Sequence, residues 1–376
     1  MKKITAMLLA GAMMLSMAAC GGNGGNGGNT SNPGNSGGSS SAGGSSAGGN
    51  TSAPQTSDAD YSSLPKVTLT GADSTGKGAA GQLFGELVTE KVDQITGGQL
   101  TIEYFPNGEL GADADILRQM KANEIQLVVC QTAPVVSFVP EVAVFDLPMV
   151  FAKYDGATID KVLNGDSAFK AQLGGAFNNS GFQLLGTLQN ATYRLTTAKK
   201  DLQTLADFNG LQIRTMENQN HMAFWTAIGA QPTPMAWNEV YFALQSGNIA
   251  AQENAADTCV GNNLNEVQDY LAFTNHILYA NMMIMNQEAY DSLDPLYQEA
   301  LGQAVAEAMA EIGAQLATID AENKAELESR GMTLIEYAPE FYDEVLAVPG
   351  VVDLYKSINE QIGGLGDTLQ EALNNA

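Results

Sequence analysis

The chain has 376 residues, with 17 lysines and arginines against 42 aspartates and glutamates, for a formal net charge of −25. So acidic a surface repels nucleic acid and anionic lipid headgroups, which excludes both as partners held by bulk charge. Three cysteines are too few for a disulfide framework, so any folded part has to rest on apolar cores.

At the start of the chain, Lys2 and Lys3 precede an apolar run that ends in small residues before Cys20. Charge, length and flanks are those of a signal peptide, and the run is too short for a comfortable membrane span. Leu15-Ser16-Met17-Ala18-Ala19-Cys20 resembles a bacterial lipobox, with Met17 where leucine is most usual. That resemblance implies cleavage before Cys20 and lipidation of its thiol. Residues 21–63 are mostly Gly, Ser and Asn. They bury too little to fold and read as a tether with a reach of roughly 35–40 Å. The remaining ~310 residues exceed one comfortable core, so two lobes are expected.

Val67–Thr70 reads as a strand, and the loop 71–76 leads into a helix over about 79–95, stopped by Gly97-Gly98. A second strand follows at 100–104, a turn at Pro106-Asn107-Gly108, and a helix over 112–122 with Ile116, Leu117 and Met120 inward. The strand 125–130 then delivers Gln131. Asp207-Phe208-Asn209-Gly210 marks a turn before Leu211-Gln212-Ile213-Arg214, whose alternation is that of a half-buried strand. A short helix with Met222, Trp225 and Ile228 on one side stops at Gly229, and a second spans 237–246. The strand 248–252 ends on Glu253 and Asn254. Residues 295–330 read as one helix of roughly 50 Å, longer than one lobe needs. The segments 115–131 and 238–254 echo each other as helix, turn and strand ending on amide side chains, which would put Gln131 and Asn254 on opposite walls of a cleft.

Only four arginines occur, Arg118, Arg194, Arg214 and Arg330, and two of them frame the central stretch. A guanidinium can grip a carboxylate through paired hydrogen bonds, or it can serve an ordinary ion pair. The motifs Asp207-x-x-Gly210-x-x-x-Arg214, Gly229-Ala230-x-Pro232-x-Pro234-Met235, Glu239-Val240-Tyr241-x-Ala243-Leu244-Gln245-x-Gly247, Gln252-Glu253-Asn254, Glu266-Val267-Gln268 and Thr274-Asn275-His276 occur in this order. Together they resemble the DctP-like extracytoplasmic solute-binding proteins of TRAP transporters, over roughly residues 65 to 340.

The resemblance implies an α/β, two-lobed periplasmic-binding-protein-like fold with a ligand cleft between the lobes and a long helix spanning both. Boundaries are expected at 1–20 for the signal peptide and 21–63 for the tether. Lobe I then takes 64–191 plus 280–319, and lobe II takes 192–279 plus 320–376. Arg214 would clamp a ligand carboxylate, with Arg194 and Asn254 on the same acid and Trp237 lining the pocket. Strand-end position adds Gln131 and Asp73, and nearness to Arg214 adds Glu217. The partners implied are a small organic acid, either a sugar acid or a C4-dicarboxylate, and the membrane subunits of a TRAP transporter; no cofactor or metal is implied. Ile249-Ala250-Ala251 departs from the Val-Asp-Gly usual in the family, which puts a hydrogen bond there in doubt.

An exported lipoprotein enzyme acting on a small carboxylate is the main alternative, and a surface adhesin would also suit the tether. His221 and His276, the two histidines, stand far apart in sequence without metal-ligand spacing, and no nucleophile motif appears. His276 reads as core. Cys130 and Cys259 lie in apolar, strand-like contexts and read as buried free thiols.

Overall fold

The computed structural model describes residues 59–376; the signal peptide, Cys20 and residues 21–58 lie outside the described residues. The expected tether overruns its end. Asp60 caps a single turn of 3-10 helix at Tyr61–Ser63, and the Tyr61 ring is buried and stacked on Tyr297 with centroids 6.1 Å apart. One aromatic side chain gives an otherwise polar segment something to bury.

Strands β1 (Val67–Asp73), β2 (Leu100–Phe105), β3 (Leu127–Gln131) and β4 (Phe182–Leu188) build a first sheet. Strands β5 (Leu195–Ala198), β6 (Gln212–Thr215), β7 (Gln231–Pro234), β8 (Ala251–Asn254) and β9 (Tyr270–Ala272) build a second. The chain then returns: β10 (Asn281–Asn286) inserts antiparallel between β3 and β4, and β11 (Thr333–Ile335) pairs with β9. The orders are β2-β1-β3-β10-β4 and β11-β9-β5-β8-β6-β7. The predicted strand at 248–252 is shifted, because the paired register with β5 and β6 begins at Ala251 and runs to Asn254.

Each sheet anchors its own apolar clusters. The first is covered on one side by the helix Ala80–Thr96 and the long helix, and on the other by residues 135–177. The second is packed around Trp225 on one face and around Val240, Leu244 and Leu271 on the other. Two crossing segments join the lobes and run side by side. Arg194 N donates to Ile277 O at 2.9 Å, Tyr279 N donates to Thr192 O at 2.8 Å, and Tyr193 bridges Leu278.

The long helix runs Pro295–Ser329, as its composition predicts, with Asp294 accepting from Leu296 N at its start. Its 35 residues span both lobes: Ala304, Ala308 and Ile312 pack under the first sheet, and Leu327 joins the core of the second. A Cβ on Gly186 of β4 would lie 2.7 Å from Val305, so glycine there lets helix and strand close.

The C-terminal segment divides, although 320–376 is expected with lobe II. The helix Pro349–Gln361 places Val351 in the Trp225 core. The last helix, Leu365–Asn375, packs Leu369 and Leu373 with Phe169 and Leu173 beside the first sheet. Its leucines repeat every fourth residue, and the first lobe covers that stripe. Cys130 and Cys259 are buried and free. No helix among the described residues is long and apolar enough to cross a membrane.

Candidate functional site

Arg214 is the third residue of β6. Leu211 and Ile213 face the core on either side of exposed Gln212, and Arg214 leaves toward the other lobe, itself only 2% exposed. Its Nε and Nη2 donate to the carbonyl of Met235 at 2.9 and 2.6 Å. Trp237, which opens the helix Trp237–Ser246, holds its indole 5.4 Å from the guanidinium carbon. A cation over an aromatic face is held in plane as well as attracted. That helix ends where the sequence places its stop, at Gly247 with φ 74°. The Nη1 of Arg214 is buried and has no hydrogen-bond partner among the described residues. Burial lowers the Arg214 pKa to about 10, with Glu253 opposing and Arg194 adding to the drop, so the group stays charged at neutral pH.

In front of Arg214 lies a cavity of about 510 Å³ walled by both lobes. The first contributes Ser74, Thr75, Asn107, Asp113 and Pro134, and the second contributes Arg214, Met216, Glu217, Met235, Trp237 and Asn262. A narrow inner recess shares this wall and adds Gln131, Asn254 and Thr258. Four predicted residues, Arg214, Trp237, Gln131 and Asn254, are thus brought together at the ends of β6, β3 and β8 and the start of a helix. Glu217 lies exposed on the outer wall.

Two predicted residues are not on the wall. Asp73 is fully buried behind it, accepting from Thr75 N, Thr75 Oγ1, Asn107 N and Tyr104 Oη at 2.7–3.1 Å. It fixes the two loops that carry Ser74, Thr75 and Asn107, and its burial keeps both oxygens from a ligand. Burial raises its pKa in spite of those donors. Arg194 is also enclosed. Its Nε bonds the Glu253 carboxylate, its Nη2 donates to Glu253 Oε1 at 2.9 Å and to the Glu253 carbonyl at 2.8 Å, and its Nη1 donates to Gln131 across the lobes. Arg194 thus lies behind the wall, with its charge balanced by Glu253.

Glu253 is the centre of a network that sequence spacing hid. His276 Nε2 lies 3.1 Å from Glu253 Oε2, and His221 Nδ1 lies 3.9 Å from Oε1, beyond hydrogen-bond reach. The two histidines, far apart in the chain, therefore face one carboxylate. Burial pushes the Glu253 carboxyl up, but Arg194, His221 and His276 outweigh it and hold the pKa well below the usual range. His221 Nε2 also meets Asp146 Oδ1 at 3.2 Å, and Asn218 and Asn220 donate to Asp146 Oδ2. Burial lowers the His221 pKa, yet Asp146 and Glu253 carry it to about 9. His276 is lowered by burial, only partly offset by Glu253. The face of the helix Gln219–Ala227 is accordingly His221, Phe224, Trp225 and Ile228, with Met222 only half-buried. Among the described residues no His, Cys, Asp and Glu group has the arrangement to hold a metal.

Sequence reasoning missed the wall residues Ser74, Asn107, Asp113 and Asn262. For the first three, the loops after β1 and β2 were the available signal, since ligand groups gather beyond strand ends; Asn262, at the end of the helix Ala256–Gly261, had none.

A two-lobed α/β body with a cavity between its lobes is the architecture of solute-binding receptors. The profile described as "Bacterial extracellular solute-binding protein, family 7" matches residues 68–348, and the chain belongs to this family. It is a TRAP-type extracytoplasmic solute-binding protein, a receptor and not an enzyme. A solute-binding protein of Verminephrobacter eiseniae is 29% identical over 271 residues, covering 72% of this chain and 78% of that protein. A TRAP solute-binding protein from Bordetella, with ligand density attributed to pantoate, superposes with TM-score 0.71 at 28% identity, covering 81% of this chain and 99% of the other. One from Polaromonas, bound to D-erythronate, gives 0.73 at 25%, covering 80% and 98%.

Proposed function

We propose that the protein captures an organic acid by its carboxylate at Arg214 and delivers it to the membrane subunits of a TRAP transporter. The observation that carries this reading is the buried Nη1 of Arg214, without a partner among the described residues, in the wall of the cavity. A buried donor without a partner is costly, and an anionic oxygen is the partner that relieves it best. Trp237 and Met235 fix the guanidinium in advance, which lowers the ordering cost on binding. Asn254 and Gln131 at the recess supply neutral hydrogen bonds to the same acid. The pantoate and D-erythronate of the two related structures are both small organic acids. A sugar acid and a C4-dicarboxylate both meet these terms. A lipid on Cys20, followed by the Gly/Ser/Asn tether, would hold the receptor at the extracytoplasmic face within reach of its transporter.

Calorimetric titration with a panel of aldonates, uronates, short hydroxy acids and C4-dicarboxylates tests this. The expected result is saturable 1:1 binding of at least one acid, recovered unchanged afterwards. Chemical conversion of the acid, or no binding by any member, contradicts the reading.

A further inference from the structure

We infer that the cavity selects an acid with one carboxylate and a hydroxylated remainder, and that Asp113 is the residue that turns away a second carboxylate. The inference rests on the Arg214 reading above and narrows its ligand class.

The first observation is the charge on the wall. Two arginines in one site would suit a dicarboxylate, but Arg194 does not line the cavity and is enclosed by Glu253, itself 0% exposed. That leaves Arg214 as the single buried cation on the wall among the described residues. Lys77 is the other base there, an exposed side chain at the rim whose pairing is weakened by solvent and salt. Against these stand two carboxylates, Asp113 and Glu217, the latter exposed like Lys77, so the free wall is balanced in charge. An acid docked on Arg214 takes up its buried cation, and a second carboxylate at the far end then meets Asp113 with no buried cation left to pair it.

The second observation is how Asp113 is held. It opens the helix Asp113–Lys121 and lines both the main cavity and the recess. Its Oδ1 accepts from Ser74 Oγ and from Cys130 Sγ at 3.4 Å, which fixes the carboxylate on the first lobe. Its Oδ2 takes no hydrogen bond from the described residues, so this wall residue keeps acceptor capacity to spare. A ligand hydroxyl can donate to it, whereas a ligand carboxylate has nothing to donate and is repelled. Asn107, Asn262 and Thr75 add neutral groups that both donate and accept, and the Trp237 indole offers an apolar face to a carbon chain. Together these match a polyhydroxy chain and supply no second anion site.

The test is calorimetry on the mature protein, as wild type, Asp113→Asn and Arg214→Ala, with D-erythronate, D-galactonate, D-glucuronate and succinate. The wild type is expected to bind its best sugar acid at least about 100-fold more tightly than succinate, the scale set by like-charge juxtaposition in a partly dehydrated site. Asp113→Asn is expected to narrow that ratio by about tenfold or more, because the amide both weakens the hydroxyl contact and removes the repulsion. Succinate binding as tight as any of the sugar acids overturns the inference and leaves the receptor reading standing. An unchanged ratio in Asp113→Asn overturns the role of Asp113. Should that variant fail to fold, the wild-type ranking alone still decides the ligand class. Binding that survives Arg214→Ala, or no binding of any of the four by the wild type, removes the Arg214 reading and this inference with it.

Discussion

Replacing Glu253 by alanine is expected to cost more stability than any change on the cavity wall. The Glu253 carboxylate is fully buried and takes two bonds from Arg194 and one from His276, with His221 at 3.9 Å. Glu253→Ala leaves the Arg194 guanidinium, 2% exposed, without its counter-ion, and leaves a void behind β8. Removing one partner of a buried pair costs about 3–5 kcal/mol. Against a total stability on the order of 5–15 kcal/mol, that is a large share. Glu253→Gln keeps an acceptor and the volume, so it should fall between wild type and Glu253→Ala. Urea denaturation followed by far-ultraviolet circular dichroism reads the difference. A Glu253→Ala stability within about 1 kcal/mol of wild type would refute the reasoning, because surface-like pairs alone cost that little.

The remaining predictions concern pH and anchoring. The His221 pKa in the fold is about 9, above its usual value of 6.5, so its stabilising contribution is complete below 6.5 and fades as pH rises through about 9. His276 is shifted the other way, so its contribution is lost as pH falls below 6.5. Urea midpoints measured from pH 6.5 to 9.5 should therefore decline, and His221→Asn should flatten that decline; an equal slope in both proteins contradicts the His221–Asp146 contact as its source. Cys20→Ser is expected to release the protein from membranes with ligand affinity unchanged, as fractionation and calorimetry together would show. Loss of binding in that variant would mean that the anchor and the receptor are not separate modules.

Much of the frame was legible because it rests on local rules. The helix Trp237–Ser246 and its glycine stop follow from periodicity and capping, and the long helix follows from an unbroken run of helix formers. The placement of Arg214 was legible for a similar reason, since strand alternation already separates its side chain from Leu211 and Ile213. Arg194 was not. Whether it meets a ligand or a carboxylate depends on the antiparallel pairing of β5 with β8, which sets Leu195 opposite Asn254 and brings Glu253 alongside. No spacing along the chain encodes that pairing. Asp73 shows the limit of the strand-end rule: two nearby loops turn their N–H groups onto it and close over it, so it is fully buried behind the wall. His221 and His276 are separate along the chain, whereas the fold closes both around one buried acid.

The most direct test of the central claim is titration of Arg214→Ala and Arg214→Lys with the best-bound acid, after circular dichroism has shown both to be folded. If the guanidinium pairs with the ligand carboxylate in the partly dehydrated cavity, Arg214→Ala loses about 2–5 kcal/mol of binding, or roughly 30-fold to several-thousand-fold in affinity. Arg214→Lys recovers part of that loss, because an ammonium keeps the charge and cannot make the paired bonds. Near-normal affinity in folded Arg214→Ala would contradict the account and make Arg214 a structural ligand of the Met235 carbonyl.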